Sequence, residues 1–229
     1  MSETSLPQPI QCIGIILDGN RRWAKERNLP TLEGHLAGFE NIKSTARNVR
    51  DRGIPHLVVY AFSTENWKRS EEEVSYLMGM IRSAVLEGSD ELIAENIRLR
   101  FVGDLSMLDS DIQKALSDAE KKSADKTALT LWVCLSYGGR AEIVRAAERA
   151  SKEGEVTTET LSRYLWSAGM PDPDIIIRTG GQKRLSNFLL WQAAYSELFF
   201  LTCMWPDFGE NDLDGVLSEY AVRKRNFGT

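Results

Sequence analysis

A chain of 229 residues is within the ordinary length of one α/β domain. Its 42% hydrophobic and 27% charged residues are the balance of a globular protein with a sizeable core, not of a disordered or fibrous one. The net charge of −5 provides no global basic field, which argues against a nucleic-acid partner and requires any anion site to be built from a few clustered cations.

In chain order, residues 1–12 read as a flexible N-terminal segment and 13–229 as one domain. Short apolar runs at 13–17, 57–62, 97–102, 129–135, 175–178 and 197–201 read as strands. Between them, Phe39, Ile42, Ala46 and Val49 recur at helical spacing, as do Val74, Leu77, Met78, Ile81, Val85 and Leu92. Further helices are expected over 111–119, 140–150, 158–166 and 212–222, with a loop at 151–158 too short to link domains. This alternation predicts a single α/β domain with a central, mostly parallel sheet of about six strands surrounded by helices. No apolar stretch approaches the ~20 residues of a membrane span. Residues 1–11 show no leader pattern. Cys12, Cys134 and Cys203 lie in or beside apolar runs and read as free thiols of a reducing, cytoplasmic compartment.

Open parallel sheets bind ligands at the carboxyl ends of their strands, and three strand ends carry unusual residues. The first is followed by Asp18-Gly19-Asn20-Arg21-Arg22-Trp23, the second by Ser63-Thr64-Glu65-Asn66-Trp67-Lys68-Arg69, and the fifth ends in Arg178-Thr179-Gly180-Gly181 and runs on to Arg184-Leu185-Ser186-Asn187. Arg21, Arg22, Arg69, Arg178 and Arg184 offer forked donors for phosphate oxygens. Gly19 and the Gly180-Gly181 pair let backbone amides approach an anion. Asp18 is a carboxylate among cations, which makes sense where a hard divalent ion such as Mg²⁺ bridges it to phosphate. Singly, Asp18 reads as a helix cap, the arginines as solvated surface and the glycines as a turn. Their convergence on one sheet edge predicts a Mg²⁺–diphosphate site. No Gly-x-x-x-x-Gly-Lys-Ser/Thr loop, dinucleotide turn or Gly-x-Ser-x-Gly elbow occurs. His35 and His56 are the only histidines, too few for a His-rich metal site.

These motifs resemble those of the cis-prenyltransferases of the undecaprenyl diphosphate synthase type. The resemblance is carried by residues 16–24 with Gly34-His35, by 60–69, by Ser136-Tyr137-Gly138-Gly139-Arg140, by Asp172-Pro173-Asp174 through Gly181, and by 184–192 with Tyr195, Glu197 and Trp205-Pro206-Asp207-Phe208. It implies an apolar tunnel within the sheet–helix domain, a homodimer, and condensation of isopentenyl diphosphate onto an allylic diphosphate such as farnesyl diphosphate. It further implies that Asp18 binds Mg²⁺ and assists departure of the allylic diphosphate, with Glu197 completing the metal's environment. Gly19, Asn20, Arg21, Arg22 and His35 would hold that diphosphate, with Trp23 beside it. Ser63, Arg69, Arg178, Arg184 and Ser186 would bind isopentenyl diphosphate, with Thr64, Glu65 and Leu185 in the same motifs. Asn66 would remove or relay the proton, and Trp67 would shape the site. Peripheral membrane contact for product release is the remaining implied partner.

Ala61, Phe62, Leu77, Met78, Ile81, Val85, Leu129, Leu131 and Val133 are candidates for tunnel walls, and equally for ordinary core. The small Ala61, and the absence of extra residues before Ile97, favour a medium to long product. The chain departs from the family pattern at Thr31, where relatives place arginine, at Gln182 and Lys183, at Trp132, and at Asn226-Phe227-Gly228, where relatives carry Arg-x-Gly. Two other functions compete: a non-catalytic prenyl diphosphate-binding subunit, and a phosphohydrolase.

Overall fold

The computed structural model describes residues 9–223. In chain order it contains β1 (Cys12–Ile16), α1 (Asn20–Glu26), α2 (Thr31–Asp51), β2 (His56–Ser63), α3 (Glu71–Ser83), α4 (Ser89–Ala94), β3 (Ile97–Val102), α5 (Ser110–Lys122), β4 (Leu129–Tyr137), α6 (Gly139–Ala150), α7 (Thr158–Tyr164), β5 (Ile175–Arg178), β6 (Glu197–Phe200) and α8 (Glu210–Val222). All six strands pair in parallel, in the order β3-β4-β2-β1-β5-β6. The sheet is therefore wholly rather than mostly parallel. The departure of the C-terminal triplet lies outside the described residues.

Alternation along the strands divides the core. On β4, Leu131 and Leu135 face one layer, with α2, α3, α5 and α8. Trp132 and Cys134 face the other, with Tyr137 and Phe188. Trp132 donates to His56 Nδ1 at 3.2 Å, so it packs away from the apolar wall. The apolar period of 74–92 is broken into α3, a π-helical turn at Ala84–Gly88, and α4. Glycine is a poor helix former, and Gly88 sits where regular winding resumes.

Helix α1 was not among the predicted elements. It packs on α2 because Gly34 and Gly38 leave room: a Cβ at Gly34 would lie 2.1 Å from the Asn20 carbonyl oxygen, and one at Gly38 would lie 2.4 Å from Asn20 Oδ1.

Candidate active site

Strand β1 lies between β2 and β5, so the three unusual strand ends are neighbours at the point where strand order reverses. Beyond β1, the Asp18 backbone N–H donates to Ile16 O at 2.9 Å and to Thr179 Oγ1 at 3.1 Å, and the Thr179 hydroxyl donates back to Asp18 O at 2.7 Å. This stitch fixes the Asp18 loop to the end of β5. Each Asp18 carboxylate oxygen accepts from a different arginine: Oδ1 from Arg22 at 3.1 Å and Oδ2 from Arg178 at 2.8 Å.

Arg178 is only 4% exposed at its side chain, and a buried guanidinium requires partners. It finds them in Asp18, in Ser186 Oγ at 2.7 Å and in the Arg184 carbonyl. Arg22 also donates to the Gly180 carbonyl at 2.8 Å. Gly180 has φ +78°, the left-handed region that favours glycine, and a Cβ there would displace the Arg22 guanidinium, whose Nη2 would lie 2.4 Å away. Ser186 and Asn187 both have positive φ, a sharp loop that brings Ser186 to Arg178.

On the β2 side, Ser63 N–H donates to Asn66 Oδ1 at 3.0 Å, which orients the Asn66 amide. Arg69 donates to Glu73 Oε1 at 2.9 Å, and His35 Nε2 lies 3.2 Å from the same oxygen. Desolvation lowers the His35 pKa, and the Arg69 and Arg21 charges add to that, against the opposing hydrogen bond of Glu73. Glu65 sits below the usual carboxylate range because the hydrogen bonds it accepts, Asn187's foremost, outweigh its burial.

Asp18, Ser63, Glu65, Asn66, Arg69, Arg178, Arg184 and Ser186 thus line one cleft of about 550 Å³, joined by Tyr60 and Asn187. Arg21 and Arg22 line a second opening of about 420 Å³ along the outer side of α1, with Lys25 and Thr31. Beneath lies an apolar cavity of about 120 Å³ between the sheet, α2 and α3, with Asn20 and His35 among its lining and Leu17 shared with the cleft. Ala61, Phe62, Leu77, Ile81, Val85, Leu131 and Val133 line this cavity; Met78 and Leu129 belong to the surrounding core. Asn20 Oδ1 is buried without a hydrogen-bond partner among the described residues.

Other expected residues are placed elsewhere. Trp23 donates to Asp207 Oδ1 at 2.7 Å beneath the Arg27 guanidinium, turned towards the Trp205-Pro206-Asp207 turn. Trp67 stands edge-on to Phe62 and donates to Ser136 Oγ at 3.0 Å, behind the cleft. Thr64 packs on Gly138, and Leu185 on the second core layer. Among the described residues the Arg184 side chain is held only by Gln182, at 2.8 Å, and Lys183 is exposed.

Glu197 opens β6 opposite Ile175, about 10 Å down the strands from the Arg178 end at the usual rise per residue. It is paired with Arg223 at 2.6 Å. Within one chain, the two carboxylates expected to share a metal are not brought together. Among the described residues no group of three or more acidic, His or Cys side chains could cage an ion. Asp18 alone suits a cation that arrives with most of its ligands, as Mg²⁺ does on a diphosphate.

Sequence reasoning missed Glu73, Asn187 and Tyr60. Glu73 carried one usable signal: it stands three residues after Ser70, whose hydroxyl accepts from the Glu73 N–H at 3.4 Å, the spacing of a capping box.

Residues 16–228 match the family described as "Putative undecaprenyl diphosphate synthase". The chain belongs to the undecaprenyl diphosphate synthase family of prenyltransferases. An isoprenyl transferase of Agrobacterium fabrum is 45% identical, with 99% of this chain and 94% of the relative aligned, and one of Neisseria meningitidis is 42% identical over 100% and 92%. The crystal structure of lavandulyl diphosphate synthase from Lavandula x intermedia, in complex with dimethylallyl diphosphate, superposes with a TM-score of 0.92 at 34% identity, covering 96% of this chain and 98% of that one. A probable undecaprenyl diphosphate synthase from Campylobacter jejuni gives 0.83 at 31% identity, over 97% and 100%. In this prenyltransferase no described helix is long and apolar enough to cross a membrane.

Proposed function

We propose that this prenyltransferase condenses isopentenyl diphosphate onto an allylic diphosphate primer, farnesyl diphosphate or similar, to make a Z-polyprenyl diphosphate. The observation that supports this best is the Asp18 carboxylate held between Arg22 and Arg178, in a cleft that shares Leu17 with an apolar cavity. A diphosphate entering the site competes for both guanidiniums, and phosphate matches their forked donors at least as well as a carboxylate does. Asp18 is then released to face the incoming anion's cation. Asp18 would hold Mg²⁺ there, and the ion would supply positive charge against the negative charge developing on the departing diphosphate.

Arg21, Arg22, His35 and the Asn20 side chain hold the allylic diphosphate, with Gly19 allowing the close approach. Arg69, Arg178, Arg184, Ser63 and Ser186 hold isopentenyl diphosphate. The allylic carbon–oxygen bond breaks with its electron pair going to the diphosphate. The isopentenyl double bond supplies the pair for the new carbon–carbon bond, and the proton lost as the alkene is restored passes to a diphosphate oxygen. Asn66 has no basic nitrogen, so its role is to orient and relay. The arginines act where negative charge develops, and the apolar lining keeps water from the cationic carbon. Glu197 can join the metal's environment only from another copy of the chain or after rearrangement, and the proposed homodimer is the simpler route. Cytoplasmic location with membrane-surface release of a greasy product completes the proposal.

Incubation with labelled isopentenyl diphosphate, farnesyl diphosphate and Mg²⁺ tests it. Polyprenyl diphosphate is the expected product. Inorganic phosphate alone would identify a hydrolase, and diphosphate binding without turnover a non-catalytic subunit.

A further inference from the structure

The loop that follows β5 carries two of the groups assigned to isopentenyl diphosphate, Arg184 and Ser186, yet few bonds hold it in place. Before Gln182 it is anchored by Gly180 and Gly181, whose N–H groups donate to the Cys203 and Leu201 carbonyls at 2.7 Å each. After Asn187 it is anchored by Phe188, which is fully buried and whose N–H closes a turn on the Leu185 carbonyl at 3.0 Å. Apart from that turn, hydrogen bonds tie residues 182–187 to the rest of the chain only through Arg178 and Asn187, among the described residues. Arg178 donates to the Arg184 carbonyl and to Ser186 Oγ.

Asn187 reaches two other strand ends. Its Nδ2 donates to Glu65 Oε1 at 2.9 Å, its Oδ1 accepts from the Arg140 N–H at 2.9 Å, and its carbonyl accepts from the Gly139 N–H at 2.8 Å. Glu65 follows β2, and Gly139 and Arg140 open α6 after β4. These partners fix which way the amide faces, because an ionised carboxylate only accepts and a backbone N–H only donates. Gly138 leaves room for the junction: a Cβ there would lie 2.6 Å from Thr64 Oγ1 and 2.8 Å from Asn187 Nδ2. Asn187 has φ +67°, a left-handed conformation that asparagine adopts more readily than most residues. Glu65 lines the same cleft, where its charge opposes that of a diphosphate. Its bond to Asn187 gives that unfavourable charge a use.

We propose that Asn187 is a positioning residue for isopentenyl diphosphate: oriented by Glu65 and bound to the start of α6, it fixes the 182–187 loop so that Ser186 and Arg184 serve the cleft. This rests on the condensing activity proposed above. The two ties of the loop differ once ligand arrives. A diphosphate draws on the donors of Arg178 and Ser186, whereas both ends of the Asn187 amide are committed to protein partners. Asn187 is the tie that remains.

Exchanging the two side chains tests this. Asn187→Asp keeps the acceptor for the Arg140 N–H but sets two carboxylates against each other. The double variant Glu65→Gln/Asn187→Asp again faces a donor with an acceptor, at the wild-type net charge. The KM values for isopentenyl diphosphate and farnesyl diphosphate and kcat are measured for each, with thermal unfolding as a control of folding. Asn187→Asp is expected to raise the isopentenyl diphosphate KM by about 10-fold or more, the scale of one hydrogen bond to a charged group, with smaller changes in the farnesyl diphosphate KM and in kcat. The double variant is expected to reverse most of that rise. Asn187→Gly, which keeps the positive φ and lacks both amide bonds, should show the same rise, and it carries the comparison should Asn187→Asp fail to fold. An unchanged KM in a folded single variant, or a raised KM that the exchange does not reverse, would overturn the positioning role while leaving the condensation intact. A wild type that adds no isopentenyl units at all would remove the activity itself, and the role with it.

Discussion

Two guanidiniums sharing one carboxylate make Asp18 the pivot of the cleft, and its substitution tests the electrostatic account. Asp18→Ala should lower turnover by at least about 100-fold, the scale of losing one transition-state stabilising group, and should also lower the unfolding midpoint because the buried Arg178 loses its carboxylate partner, as measured by steady-state kinetics and urea titration. Arg184→Ala should act differently: among the described residues this side chain is held only by Gln182, so its loss should raise the KM for isopentenyl diphosphate more than it lowers kcat. Behind the cleft, Glu142 is 1% exposed and accepts from Ser167 N at 3.0 Å, Ser167 Oγ at 2.7 Å, Gln192 Nε2 at 3.1 Å and the Tyr137 hydroxyl. Glu142→Gln substitutes an amide donor for one acceptor oxygen in a network made of donors. It should cost about 1–3 kcal/mol of stability, the range for buried groups left unsatisfied, read from denaturant unfolding. Of the residues now placed in the cleft, Asp18, Asn66 and the arginines were legible because they cluster at strand ends. Asn187 was not, since it acts by holding the Glu65 side chain and such support leaves no spacing rule in the sequence; Glu73, which holds Arg69, left only its capping-box spacing after Ser70.

At the scale of elements, the packing of α1 on α2 decides where the cationic end of the cleft lies. Gly34→Ala would place a methyl group within 2.1 Å of the Asn20 carbonyl oxygen, so α1 must shift. Overpacking of this kind typically costs about 1–3 kcal/mol. Here it should also weaken allylic diphosphate binding, because Asn20, Arg21 and Arg22 ride on α1; calorimetric titration of the primer beside urea unfolding separates the two effects. Strand positions were readable from apolar runs, because a sheet buried on both faces needs them. Helix α1 was missed because it has seven residues and one buried side chain, Ala24, too little for a periodic signal. The break in the 74–92 helix was missed for the opposite reason: the apolar spacing continues through the π-helical turn.

For the whole molecule, the two histidines give stability a pH dependence of definite sign. Burial lowers the pKa of both His35 and His56, with the Arg98 charge contributing at His56. A folded state that resists protonation is stabilised fully above the unfolded value of about 6.5, and loses that stabilisation as pH falls below it. Urea midpoints should therefore decline as pH is lowered from about 6.5, before the carboxylates titrate. His56→Gln should flatten the decline, since it removes one of the two groups. Composition, apolar periodicity and the residues at strand ends were enough to specify a parallel α/β domain with a cationic, carboxylate-bearing edge, because burial and anion binding each demand particular residue types at particular spacings. Only the tertiary structure decided that Asp18 lies between Arg22 and Arg178, that Glu197 opens the far end of its strand, that Trp23 and Trp132 turn away from the cleft and its cavity, and that a small apolar cavity lies between the sheet, α2 and α3. Those facts depend on strand order and on which helices touch, and contacts between residues far apart in the chain are settled by packing, to which local patterns are blind.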